Sequence, residues 1–146
     1  MSQLRIWVTK IFVVVSTKAT LQCSTPSGPG DILSWMKTRG LHHRRVNKWT
    51  TYIETYQRYL NKFRGCNISV LELGVQSGGS QDLWLHYFGP QAHVYGVDME
   101  RATLRFNRPR VTNFIGDVGS EEFLRQLRNS IPRPHFILDD ASHIPW

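Results

Sequence analysis

Residues 70–80 read VLELGVQSGGS, an apolar run that gives way at once to glycines and small hydroxyls. Four of the first six residues are apolar, yet Glu72 stands among them. The run has the length of a strand, and Gly74, Gly78 and Gly79 end it and open a turn. Residues 80–89, SQDLWLHYFG, then read as a helix with Ser80 near its N-cap and Gly89 just past its end. In a strand–turn–helix unit of this kind, glycines let a ligand approach the backbone closely, and the first helical N–H groups face an anionic group.

Outward from that unit the chain alternates. Residues 92–99 (AHVYGVDM), 111–118 (VTNFIGDV) and 134–140 (PHFILDD) read as three more strands. Residues 120–131 (SEEFLRQLRNSI) read as a helix with a Ser120…Phe123 start and acids in the first turn. The stretch ERATLRFNRPR is short and expected to be only partly helical. Upstream, residues 49–63 place apolar or aromatic side chains at intervals of three and four, one face of a helix, with Gly65 as its stop. Strands and helices in this alternation predict an α/β, Rossmann-like, mostly parallel sheet of about four strands, preceded by a helical N-terminal segment.

In an open α/β sheet, ligands bind beyond the carboxyl ends of the strands. After the first strand come Gly74, Gln76, Ser77, Gly78, Gly79 and Ser80; after the second, Asp98 and Glu100; after the third, Asp117; after the fourth, Asp139, Asp140, Ser142 and His143. Asp98 lies 20 residues beyond Gly78, the distance at which an acid accepts ribose hydroxyls in nucleotide-binding βαβ units. Asp117 could pair with an adenine amino group or cap the next helix. Asp140 could hold a divalent cation, and His143 could take a proton from a hydroxyl. Taken singly, each of these residues has an ordinary structural explanation; their convergence at one end of the sheet carries the weight.

At 146 residues and 40% hydrophobic, the chain can bury one real core. Its net charge of +7 is unevenly spread: residues 1–68 hold 11 Lys+Arg against 2 acids, residues 69–146 hold 7 against 9. Residues 1–46 are expected to be a basic leader and linker with a short helix near DILSWMKTRG, and residues 47–146 the folded unit. The apolar run Ile11–Val15 is too short to span a bilayer. Cys23 and Cys66 have neither C-x-x-C nor metal-site spacing, which argues against a disulfide scaffold or zinc knuckle and fits a reducing, cytoplasmic compartment. Asn67-Ile68-Ser69 matches a glycosylation sequon but runs straight into a strand, and is discounted.

The motif E-x-G-x-x-x-G, here Glu72, Gly74 and Gly78, resembles the first motif of class I S-adenosylmethionine-dependent methyltransferases. More narrowly, LELGVQSGGSQDLWLHYFGPQAHVYGVDME, GDVGSEEFL and ILDDASH resemble the macrocin- and mycinamicin-type sugar O-methyltransferases. The upstream NKWTTYIETYQRYL is similar to a D-K…Y…Y helix of that group, with Asn47 in place of Asp. The resemblance implies an S-adenosylmethionine site formed by Glu72, Gly74, Gln76, Ser77, Gly78, Asp98, Asp117 and Asp139. It implies Asp140 as one ligand of a Mg²⁺ ion and His143 as general base for the hydroxyl of a sugar or natural product. It further implies that Glu72 sits at the carboxyl end of its strand, in the cofactor turn rather than in a dry core. Ala141 replaces the group's usual Gly. A Glu-Asp pair and further strands that the group has later are not in these 146 residues. The chain is therefore expected to represent the cofactor-binding half, with an exposed edge at the fourth strand.

Three other readings compete: a non-catalytic S-adenosylmethionine-binding module, a dinucleotide-binding half-domain, and a nucleic-acid-binding protein using basic residues 37–48. Glu72 in the first motif speaks against the second. The basic excess lies outside the ligand end, so no nucleic-acid partner is expected, and the short run Ile11–Val15 leads to no expected membrane span. A homo-oligomer is compatible with the leading reading.

Overall fold

Alternation along one strand sets the layers of the molecule. In β3 (Ser69–Leu73), successive side chains point to opposite faces. Val70 joins Ile53, Tyr56, Leu60, Leu83, Trp84, Phe88 and Phe136 in one core cluster. Leu71 joins Val97, Leu127 and Ile131 in another. The first cluster lies under α1 (Ile32–Thr38), α2 (Thr50–Leu60) and α3 (Gly79–Phe88); the second lies under α4 (Glu121–Ser130). A strand buried on both faces reads as a nearly continuous apolar run, as this one does. The computed structural model describes residues 4–8, 11–15, 21–25, 31–38, 44–46, 48 and 50–141.

β4 (His93–Asp98) and β6 (Phe136–Asp139) flank β3 in parallel, and β5 (Val111–Ile115) extends the sheet beyond β4, also in parallel. These are the four parallel strands the sequence predicts, each within two residues or so of its expected start. Local chemistry explains the boundaries. The Ser120 hydroxyl accepts the Phe123 N–H, and Glu121 and Glu122 fill the first turn of α4. The Asp31 carboxylate accepts the Leu33 N–H at the start of α1. The partly helical stretch after β4 is a 3₁₀ helix, Arg101–Phe106.

Two findings differ from expectation. The first concerns the N-terminal residues read as a leader. β1 (Leu4–Val8) and β2 (Ile11–Val15) pair antiparallel, and β2 pairs antiparallel with β6, so the sheet runs β1-β2-β6-β3-β4-β5. The fourth-strand edge expected to be exposed is thus covered by β2. A run of five apolar residues is short for a membrane but near the usual strand length, and Ile, Val and Phe favour that state. Among the described residues, no helix is long and apolar enough to cross a membrane.

The second concerns the cysteines. Cys23 and Cys66 form a disulfide across a sequence separation of 43, which removes the ground for a reducing compartment. Local spacing could not reveal it. The partners meet because residues 21–25 run beside the start of β3: Asn67 N–H donates to Gln22 O and Ser24 N–H to Gly65 O, both at 2.8 Å. Closing a loop of this length restricts the unfolded chain. Reduction is therefore expected to remove about 2–4 kcal/mol, or about 5–15 °C in Tm. Thermal melts with and without a dithiol reductant measure that loss.

The same end of the sheet holds two histidines whose pKa values lie below the ordinary one. His135 Nδ1 accepts the Ser69 N–H at 3.0 Å, and burial holds its pKa below the ordinary value. His93 is lowered by burial and by the charge of Arg110. With native values below the unfolded one, the unfolded chain binds these protons more readily. Stability is full above about pH 6.5 and falls as pH drops through the window toward the native values. Denaturant melts at neutral pH and near pH 5 should show that decline, and the double variant His93→Gln/His135→Gln should flatten it.

Candidate functional site

The turn after β3 is built on backbone that only a few residue types adopt easily. Gly74 has φ +88° and Gly78 φ +71°. A Cβ on Gly74 would collide with the backbone of Asp140, and one on Gly78 would meet the Phe106 ring. Gln76 enters the left-handed region at φ 52° without being glycine. Gly74 N–H donates to Val97 O at 2.8 Å, Gly78 N–H to Val75 O at 2.9 Å, and the Ser77 hydroxyl to Arg45 O at 2.7 Å. The turn is therefore held against β4, β6 and residues 44–45 together.

Asp98, at the carboxyl end of β4, closes onto this turn. Its Oδ2 accepts the N–H groups of Val75 (2.8 Å) and Gln76 (2.9 Å), and its Oδ1 accepts the Glu100 N–H (2.9 Å). Burial works to raise its pKa, but these backbone donors and that of Met99 outweigh it and hold the carboxyl below its usual value. Asp98 is thus a fixed anion half-open to solvent beside the glycine turn. Asp117 is exposed, and its Oδ1 accepts the Gly119 N–H at 2.8 Å, bending the chain into α4. Asp139 Oδ1 accepts the Ala141 N–H at 3.2 Å. His143 and Ser142 lie outside the described residues, as do Asn47 and Trp49.

Glu72 departs from expectation. It shares the face of Val70, is 0% exposed, and lies inside the core rather than at the open strand end. Its Oε1 accepts Trp84 Nε1–H (3.0 Å) and Lys48 Nζ (3.5 Å), and its Oε2 accepts the Ser80 hydroxyl (2.9 Å). A strand's two-residue repeat fixes this: position 72 must face the same helical layer as position 70. Burial pushes the Glu72 pKa upward, against the pull of Lys48, Trp84 and Ser80.

Lys48 is a functional-site residue that is not among the candidates the sequence offers. Its side chain is 3% exposed, and its ammonium bridges Glu72 and Asp140, touching the Asp140 carboxylate closely. Burial opposes the charge, but the two carboxylates hold the Lys48 pKa above its usual value, so it remains a cation. Tyr56 completes the cluster: it is 2% exposed, stacks edge-on against Trp84, and its hydroxyl has no hydrogen-bond partner among the described residues. Burial, then the charges of Asp140 and Glu72, push that hydroxyl's pKa far upward. The available signal was the lysine of the N-K-W stretch, one residue from the position where the resemblance was noted. Among the described residues, no three of His, Cys, Asp and Glu converge where they could hold a metal ion. Asp140, the carboxylate expected to hold Mg²⁺, meets the Lys48 ammonium.

The basic residues are drawn inward too. Arg44 pairs with Asp82 at 3.1 Å, and Arg108 makes a still closer contact with the same carboxylate. Together with Lys48, Arg44 gives the basic stretch near residues 37–48 structural partners of its own.

A parallel sheet ordered β5-β4-β3-β6, a glycine turn after its first parallel strand and an acid at the end of the next define a fold class. It is the class I S-adenosylmethionine-dependent methyltransferase fold, and the chain has it. Among solved structures, it is similar to the MycE methyltransferase from the mycinamycin biosynthetic pathway in complex with Mg, SAH and mycinamycin VI. That match has 26% identity and a TM-score of 0.62, and covers 79% of this chain and 30% of the other. A second crystal form of that enzyme with Mg and SAH gives the same identity and TM-score, with 29% of its chain covered. The chain thus spans under a third of the length of these relatives. No family model matches it, and no curated protein sequence does so significantly.

Proposed function

We propose that the chain binds S-adenosylmethionine at the carboxyl ends of β3 to β6 and is the cofactor-binding half, residues 47–146, of an O-methyltransferase. The methyl acceptor in this reading is a hydroxyl of a sugar or natural product. One observation carries the proposal: Asp98 is clamped by the N–H groups of Val75 and Gln76 directly beside the turn formed by Gly74 and Gly78. That arrangement offers an anion for a ribose diol and open backbone for the methionine portion to pass.

In this reading Gly74, Gln76, Ser77 and Gly78 shape the cofactor channel, while Asp117 and Asp139 border the adenine and methionine ends. Glu72 acts one step back. By fixing Ser80 and Trp84 of α3 to β3, it holds the strand-to-helix geometry. Methyl transfer needs the acceptor oxygen in line with the methyl–sulfur bond. As the O–C bond forms, the C–S pair returns to sulfur, and the hydroxyl proton passes to a base. Holding the reactants in that line removes most of the entropic barrier. His143 is the proposed base. The MycE structures contain Mg, but the residues described here supply no metal site, and no step above depends on one.

The test follows labelled methyl from S-adenosylmethionine into hydroxylated glycosides. The reading expects label in an ether product, lost in His143→Ala while cofactor binding persists. Cofactor binding without transfer to any acceptor would favour the non-catalytic module; absence of binding to a folded chain would overturn both.

A further inference from the structure

The pole of the sheet opposite the ligand end carries a feature the proposed function does not use. Asn67-Ile68-Ser69 has the spacing of an N-glycosylation sequon, and its burial alternates sharply. Cys66 is 0% exposed and Ile68 is 1% exposed, whereas Asn67 between them is exposed. Its backbone N–H is used by Gln22 O, and no hydrogen bond of its side chain is found among the described residues. The neighbours around it, Gln22, Ser24, Thr25 and Gln91, are exposed and polar, the surroundings a hydrated glycan needs. Asn67 precedes β3 while the cofactor turn follows it. The two are separated by the strand's length, roughly 15–20 Å at about 3.3 Å per residue.

The adjoining Cys23–Cys66 disulfide is an independent observation that points to the same compartment. Such bonds form and persist in oxidising surroundings, where N-glycosylation also occurs. We propose that Asn67 is the acceptor of an N-linked glycan and that the chain matures in an oxidising secretory compartment. In the transfer, the Asn67 amide nitrogen forms a bond to the anomeric carbon of a polyprenyl-diphosphate-linked oligosaccharide. The bond from that carbon to the diphosphate oxygen breaks, the polyprenyl diphosphate leaves, and the amide gives up one proton. In the oxidation, the Cys23 and Cys66 thiols lose two protons and two electrons to an external disulfide, which becomes a dithiol. Ser69 must be recognised before folding, because afterwards its hydroxyl lies 3.2 Å from Arg133 O and is buried. Glycan addition therefore precedes completion of β3.

The full chain is expressed in cultured eukaryotic cells behind a cleavable secretory leader. The expected product migrates slowly on a denaturing gel and shifts to the mobility of Asn67→Gln after peptide N-glycosidase. It also shows no maleimide-reactive thiol when unfolded without reductant. Ser69→Thr, which preserves the sequon, should keep the shift. Asn67→Gln alters an exposed side chain and should fold as the parent does, with an unchanged melting curve. A product whose mobility the glycosidase leaves unchanged, or in which both cysteines react, overturns the proposal.

Discussion

Replacing Lys48 by methionine is expected to remove about 3–5 kcal/mol of folding stability, because it leaves buried carboxylate charge without its counter-ion. The side chains of Lys48 and Glu72 are 3% and 0% exposed, so solvent offers little screening. The loss should depend on pH. Without the ammonium, the native pKa of Glu72 rises further above its unfolded value. The penalty is then small near the unfolded value, about pH 4–5, and grows as pH rises through the native one. Adding Glu72→Gln to Lys48→Met should recover much of the stability at neutral pH, since the amide needs no cation. Urea melts of the parent, the single variant and the double variant at pH 5 and pH 8 provide the comparison. A single variant as stable as the parent at pH 8 would show that the cluster does not hold the layers together.

Asp98→Ala should act on binding more than on folding. If the carboxylate accepts the ribose hydroxyls, its removal costs about 2–3 kcal/mol of binding, or about 30- to 150-fold in Kd for S-adenosylhomocysteine. The variant also frees the Val75 and Gln76 N–H groups. Asp98→Asn keeps an acceptor oxygen without the charge, so its loss should be smaller. A Kd unchanged in Asp98→Ala would remove the residue from the site.

Much of the fold was legible because its signals are local. Periodicity showed β3 to β6, and capping chemistry showed Ser120. Gly74 and Gly78 marked the turn because their backbone angles penalise other residues. What escaped depends on contacts between distant segments. Cys23 meets Cys66, and Lys48 meets Asp140 from 92 residues away, across the sheet's end. Neither spacing carries a local pattern. The apolar run of β2 likewise carries no local sign that it pairs with β6, a strand near the other end of the chain. Glu72 is the instructive case. Its place within the strand was plain, but its burial follows from sharing a face with Val70 and from partners on α3 and at residue 48.

The central claim is that the glycine turn and Asp98 hold S-adenosylmethionine, and isothermal titration calorimetry tests it most directly. S-adenosylhomocysteine titrated into the oxidised, folded chain should bind at one site per chain, while NAD gives no heat of binding. Saturable binding of NAD in place of S-adenosylhomocysteine, or no binding of S-adenosylhomocysteine by a chain whose circular dichroism and melting curve show it folded, would contradict it.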